Sequence, residues 1–522
     1  MGSTVKLDHQ NSSRRILSNQ SSNDSVEMQK RSCGLSERSI AILFTLVASL
    51  GHVSVGTMVA WSCNAFSKLH DIEMEKRLQL LELEETEELS EHQRRSLTAT
   101  PALAAAICAL VVYKVYHRVG TKMFMLTAAT LMIVANFLLT FGNYFWQLSV
   151  GRALAGVAAG IITTLVPLYV DEFGSKQYKP LLDSILYVQF GLGILVQLMS
   201  DLIPFTQLSS MVSSTFPIFL FIGFLFLPES ARYLATSQQI NQARAVLKRT
   251  HNCHDALTNQ LMENSLNHWQ QSKNQGGGPI GLWEGLKKFP NTRIVLPTLM
   301  LIVFQQLTDA VPMMFYLSRI LSLVDGQYTP EWTAITVAAI LVGSIPVYRL
   351  LNIKIGDYKV LIWSSLVMAA SMATLGWHCH VQALRNHPEA NTHLPLACFG
   401  VFMFMYGIGF QRIPWRWLDA AIEDDANTTV HVRTVANAIS WAALYLSVRL
   451  LPFLIAFVGV GCLFWNLTVI CLFAVAFILV SLPNMDRAML HSKPLGADGG
   501  SGASSSSSSC ALERVPDVEE TV

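Results

Sequence analysis

Gly151-Arg152-Ala153-Leu154-Ala155-Gly156-Val157-Ala158-Ala159-Gly160, continuing to Pro167-Leu168-Tyr169-Val170-Asp171-Glu172, opens on a cation, stays apolar and closes on two acids. An apolar run of about 20 residues crosses a bilayer as a helix. Gly156 and Gly160 stand four apart and share one helical face. In lipid, a face without side chains lets a second helix come close. Pro167 removes a backbone donor and bends the helix towards its far end. The stretch reads as a membrane span shaped for close packing.

Composition extends that reading to the whole chain. Of 522 residues, 51% are hydrophobic and 14% charged, against about a quarter charged in soluble domains. The net charge is +1 and no basic stripe is present, so nucleic acid is not expected as a partner. Nine cysteines include no C-x-x-C pair, which suggests neither a zinc site nor a redox motif. Cys63 and Cys379 are the pair that could meet on one side of a membrane. No phosphate-cradling loop and no nucleophile motif occur. Hence no catalytic residue, metal or cofactor is expected, and neither an enzyme nor an ATP-driven pump.

Further apolar spans are predicted near 38–60, 97–116, 123–141, 182–204 and 211–228, then 293–320, 331–350, 359–378, 394–418, 431–455 and 460–481. With the opening stretch they make twelve. Residues 1–37 are polar, read as a disordered tail, and contain no cleavable leader. Residues 62–97 form an acidic loop, with leucines at 78, 81 and 89 able to support a short amphipathic helix. In 229–291, Thr236-Ser237-Gln238-Gln239 fits a capping box, and Ile240, Ala243 and Leu247 share one face of the surface helix after it. Residues 491–522 read as a flexible tail with a Ser run. Its end, Glu520-Thr521-Val522, is compatible with a weak PDZ-type partner.

Several motifs carry a resemblance. The opening stretch, with its Gly-Arg, spaced glycines and Pro-x-Tyr-x-x-Glu, is similar to the fourth span of the sugar-porter family of the major facilitator superfamily. Pro228-Glu229-Ser230-Ala231-Arg232-Tyr233-Leu234 resembles that family's Pro-Glu-Ser-Pro-Arg-Trp-Leu. His117-Arg118-Val119-Gly120-Thr121-Lys122 resembles its Asp-Arg-x-Gly-Arg-Arg loop. Ser49-Leu50-Gly51-His52 through Trp61-Ser62 resembles the first span of its insect trehalose and hexose carriers. The resemblance covers about 38–490. It implies an all-α membrane protein of the major facilitator fold, with six-helix bundles at 38–228 and 292–490. It also implies a cytoplasmic latch of Arg118, Gly120, Lys122, Arg152, Glu172, Glu229 and Arg232. Asp171 and Glu172 are the expected partners of its cations and of Lys176 and Lys179. In the second half Ile353 to Tyr358 lacks the paired arginines, so the latch there should be largely lost.

A two-bundle carrier binds its solute near the midplane, where polar side chains inside spans are functional candidates. Gln305-Gln306-Leu307-Thr308-Asp309 resembles the family's Gln-Gln-Leu-Ser-Gly, and Gly409-Phe410-Gln411-Arg412-Ile413-Pro414-Trp415 its Gly-Phe-Gly-Pro-Ile-Pro-Trp. Amides donate to and accept from hydroxyls, and a Trp face suits the C–H side of a sugar ring. The candidates are Tyr187, Gln189, Gln305, Gln306, Asp309, Arg412 and Trp415, with Gln197 as a further fifth-span amide and His52 as a proton-sensitive group. Asp309 and Arg412 replace neutral residues of the family pattern, and they are expected to neutralise each other across the seventh and tenth spans. The eleventh-span Asn-Trp of the family falls at Leu444-Tyr445.

The Lys and Arg bias of the connecting segments puts both termini in the cytoplasm. The sequons at Asn11, Asn19 and Asn23 would then stay unused. The expected function is transport of a small polar solute, such as a sugar, across a bilayer, by default the plasma membrane. A first span without a carboxylate favours uniport over proton symport. Two alternatives stand beside it: a carrier-derived protein that senses without transporting, and a carrier of a charged solute.

Overall fold

The computed structural model describes residues 37–79, 90–142, 144–172, 178–203, 206–251, 292–324, 329–385, 393–421 and 426–481, with Glu263, Leu266 and Asn267 between. The two expected tails, the sequons, the C-terminal motif and Lys176 lie outside them. The described residues all belong to one compact unit, within Met1–Pro483.

Among the described residues there are helices and no strand. Twelve helices are long and apolar enough to cross a membrane. In order these spans are Arg38–Cys63, Glu91–Val112, Thr121–Phe141, Phe145–Asp171, Lys179–Ser200, Ser209–Phe226, Val295–Leu321, Glu331–Leu351, Asp357–Gln382, Leu394–Ala421, Val430–Val458 and Val460–Ser481. An even number of crossings brings the last span back to the face from which the first set out.

The first helix runs from Glu37 to Gln79, well past the predicted end at 60. The second begins at Glu91, where Ser90 and Gln93 close a reciprocal capping box. Of the expected loop at 62–97, residues 62–79 and 91–97 are therefore helical, and 80–89 lie outside the described residues. Apolarity sets where a membrane span ends, but Glu, Lys, Arg and Leu are good helix formers and carry the helix on into the polar sequence.

The glycines of the opening stretch pack as their spacing predicts. A Cβ on Gly156 would overlap the carbonyl of Pro101, and one on Gly160 would lie 2.6 Å from the carbonyl oxygen of Ala105. The second and fourth spans thus meet backbone to backbone. The first and fifth do the same at Gly56 and Gly193, against Phe190 and Val53.

Two spans are broken at mid-depth. The seventh divides into Thr292–Leu307 and Ala310–Val324, and the tenth into Leu394–Ile408 and Ile413–Ala421. Asp309 makes the first break with φ +56°, the left-handed region. Asp tolerates that region better than most side chains do. This explains how an acid can stand where the family pattern has glycine.

Ala231–Thr236 and Ile240–His251 are short helices beyond the sixth span. Ala231, Leu234, Ala235, Ala243, Leu247 and Leu266 form their shared apolar core. The expected capping box at Thr236 does not form. The Thr236 hydroxyl donates backwards to Arg232 and Tyr233, and Ser237 ends the first helix instead.

Candidate solute-binding site

The broken spans carry the candidate site. Gln305 is 4% exposed. Its Oε1 accepts from Trp415 Nε1 at 3.1 Å, while its Nε2 lies 3.4 Å from the Gln411 carbonyl and 3.5 Å from the Tyr406 hydroxyl. Gln306 leaves the same helix at about 100° to Gln305, so it faces the eleventh span and donates to Ser440 Oγ at 2.9 Å. Its Oε1 is buried without a hydrogen-bond partner, as is Oε1 of Gln411. Three of the predicted residues, Gln305, Gln306 and Trp415, are thus brought together by two spans and a third helix.

Arg412 is 4% exposed and reaches across to the first half. Its guanidinium lies 4.9 Å from the ring centre of Tyr187 and 5.1 Å from that of Tyr348, and Nη1 donates to Ser184 Oγ at 3.2 Å. Its Nε and Nη2 have no partner. The expected ion pair with Asp309 does not form. Asp309 has Ser447 as its hydrogen-bonding neighbour and Cys471 within electrostatic reach, and its Oδ1 is unpartnered. Both neighbours belong to the second bundle, the eleventh and twelfth spans, so Asp309 points into that bundle.

Gln189 joins none of these groups. Two residues along a helix is about 200°, so it shares a face with Gly193, which packs on Val53, rather than with Tyr187. Gln197 turns into the first bundle, bonded to Asp201, Ser209 and Ser213. A cavity of about 10 Å³ lies beside it. His52 keeps an unpartnered Nδ1. Cys63 and Cys379 are both free thiols, and Cys63 lies 3.1 Å from Ser318 Oγ.

The structure adds residues that sequence reasoning passed over. Asn437 Nδ2 donates to Thr164 Oγ1 at 2.7 Å and to Thr163 Oγ1 at 3.0 Å, and Trp441 Nε1 donates to Thr163 Oγ1 at 3.0 Å. The amide and indole sought at 444–445 are supplied two turns and one turn earlier. The signal was the stripe Arg433, Asn437, Ser440, Trp441, Ser447 at helical spacing in an otherwise apolar span.

At the end of the molecule where the sixth span finishes, several of the residues named for the latch come together. Lys122 N–H donates to Glu229 Oε1 at 3.0 Å, and its Nζ caps the carbonyls of Leu225 and Leu227 at 2.9 Å. Gly120, φ +83°, makes the turn with no room for a Cβ beside Glu229 and Tyr233. The Tyr233 hydroxyl donates to the Arg118 carbonyl. Ser230 Oγ donates to both oxygens of Glu172, at 2.7 and 2.8 Å, and the Arg232 N–H reaches the same carboxylate. Burial of Glu172, opposed by the nearby charge of Arg232, raises its pKa to about 7.

Arg152 is not part of this latch. It sits near the start of the fourth span, at the opposite end. There it donates to the carbonyls of Leu97 and Met58 and to Ser62 Oγ, with Trp61 stacked at 5.0 Å. Its sequence neighbours were read as one unit, yet a 27-residue helix keeps its two ends about 40 Å apart.

The two halves touch at both ends. On the latch side Arg433 holds Asp171 at 3.5 Å and Asp419 at 2.8 Å, and Lys179 holds Asp171 at 3.5 Å. In place of the absent second-half arginine pair, Asp357 follows Gly356, φ +85°, and binds Arg416 at 3.1 Å and the Tyr348 hydroxyl at 3.0 Å. On the far side Arg319 meets Glu91 at 3.3 Å and Arg449 meets Ser96 at 3.3 Å. The candidate site therefore lies between two closures.

Residues 36–491 match the family model described as Sugar (and other) transporter. The facilitated trehalose transporter Tret1 of Culex quinquefasciatus is 23% identical over 452 residues, 86% of this chain and 85% of its own. The solute carrier family 2, facilitated glucose transporter member 8 of Bos taurus is 22% identical over 70% of this chain and 77% of its own. The partially occluded inward-open xylose transporter XylE from E. coli has a TM-score of 0.65 at 18% identity, covering 85% of this chain and 99% of its own. Its likeness shows a shared major facilitator fold. With its twelve apolar helices, the chain is a multi-pass integral membrane protein.

Proposed function

We propose, from the premise that the chain belongs to the sugar (and other) transporter family, that it carries a small polyhydroxylated solute by alternating access, as a facilitative uniporter. Membership makes it a transporter rather than an enzyme. The observation that carries the reading is the Gln305–Trp415 contact at 3.1 Å. It sets an amide and an indole side by side where two broken spans meet, with free acceptor atoms on Gln306 and Gln411 nearby. Hydroxyl groups satisfy both kinds of partner, and the indole covers the C–H face of a ring. The two bundles, 38–228 and 292–490, rock about this level, and the closures at either end open in turn.

Arg152 supports uniport. Its donors meet two carbonyls and a hydroxyl, so no carboxylate beside it takes up a proton with the solute. The Lys and Arg distribution supports a cytoplasmic latch end with both termini on that side, the plasma membrane being the default membrane. Entry of labelled trehalose and glucose into vesicles holding the purified protein is the test. Saturable entry, stimulated by solute inside and indifferent to a proton gradient, is expected. Entry that requires the gradient overturns uniport. No entry of trehalose, glucose or a sugar acid such as D-glucuronate overturns transport in favour of a carrier-derived sensor.

A further inference from the structure

We propose that the Nε–Nη2 edge of Arg412 receives a carboxylate of the carried solute, so that the substrate class is a hydroxylated carboxylic acid such as a sugar acid. The inference rests on the transport reading. It starts from which atoms of Arg412 are used. Nη1 is engaged by Ser184, and the guanidinium carbon lies over the rings of Tyr187 and Tyr348 at 4.9 and 5.1 Å. Nε and Nη2 are buried without a partner. These two N–H groups lie along one edge of the planar guanidinium and point the same way, the fork that matches the two oxygens of a carboxylate. The same edge does this work elsewhere in the chain: Arg244 holds Glu263 through Nε at 2.7 Å and Nη2 at 2.9 Å.

A guanidinium 4% exposed, with two unsatisfied donors, is costly to keep in a membrane interior unless a partner arrives. No carboxylate among the described residues fills that role. Asp309 points into the second bundle. The charge of Asp183 reaches Arg412 through space but also belongs to the cluster of Lys179, Asp171, Asp419 and Arg433 beneath it. Gln411, the preceding residue, has an unpartnered Oε1, and Gln305 lies against its carbonyl. An acid held by the fork would therefore bring its hydroxyls to the amides. The stacked tyrosines belong to different halves, the fifth and eighth spans, so the solute would be gripped where the halves meet.

The test uses the purified full-length protein, with D-glucuronate, D-glucose and inorganic phosphate as probes of thermal stability, and uptake of the two sugars into vesicles. D-glucuronate should stabilise the protein at concentrations at which D-glucose does little. Arg412→Lys keeps the charge between the rings but removes the fork. It should lower the glucuronate-to-glucose affinity ratio about tenfold or more. Arg412→Gln should do the same, so a folding defect in one variant leaves the other to decide. Equal stabilisation by both sugars, or an unchanged ratio in Arg412→Lys, overturns the proposal. Equal protection by phosphate overturns the carboxylate assignment. Fork-dependent stabilisation without uptake of either sugar upholds the acid site and overturns transport.

Discussion

Trp415 donates its indole N–H to Oε1 of Gln305 across 3.1 Å, and so ties the second piece of the tenth span to the first piece of the seventh. Each residue orients the other before any solute arrives. Gln305→Ala would leave a part-buried indole N–H without its acceptor and strip the site of an amide. Losing such a bond costs about 1–3 kcal/mol, so sugar entry should fall roughly tenfold or more. The melting temperature should fall as well, because the unpaired indole N–H also costs the folded state. Vesicle uptake and a melting curve on one preparation separate the two effects.

Glu172 makes the latch pH-dependent. Burial raises its pKa to about 7, above the ordinary value of about 4.3. The folded state therefore holds the proton more tightly than the unfolded chain. Its stability contribution is full below about pH 4 and is lost as pH rises towards 7. Thermal melting in detergent should accordingly show a midpoint that falls between these limits. In Glu172→Gln that part of the slope should vanish, and the variant should melt higher than the parent at pH 8. A midpoint with the same pH slope in both proteins would refute the assignment.

Gly156 has no room for a side chain beside Pro101. Gly156→Leu should push the second and fourth spans apart. Overpacking costs about 1–3 kcal/mol in a core that can adjust, and more here because the obstacle is backbone. The expected result is a sharp fall in monodisperse protein on size-exclusion chromatography. Gly343→Ala is the control, since a Cβ there would meet nothing within 4 Å.

Arg433 bridges Asp171 of the first half and Asp419 of the second. Arg433→Met leaves two carboxylates facing one another across the closure, and their repulsion should bias the latch end open. A cysteine placed at Ser440, beside Gln306, should then react faster with a thiol reagent applied from that side. An unchanged labelling rate would mean that the bridge does not hold the closure.

Much of the protein was decided by local sequence. Twelve apolar runs fix twelve helices, because a bilayer allows backbone polar groups no other partner. Gly156 and Gly160 fix a face by spacing alone, and Lys122, Glu229 and Glu172 meet where their motifs suggest. What the tertiary structure decided is direction and partnership. Gln189 faces the first span, Asp309 turns into the second bundle, and Arg152 lies at the far end from the latch. Asn437 and Trp441 find Thr163 and Thr164, residues of another helix more than two hundred positions away. A sequence states which side chains a helix has. Which of them meet depends on the rotation and depth of each helix against its neighbours, and those are set by packing across the whole bundle at once.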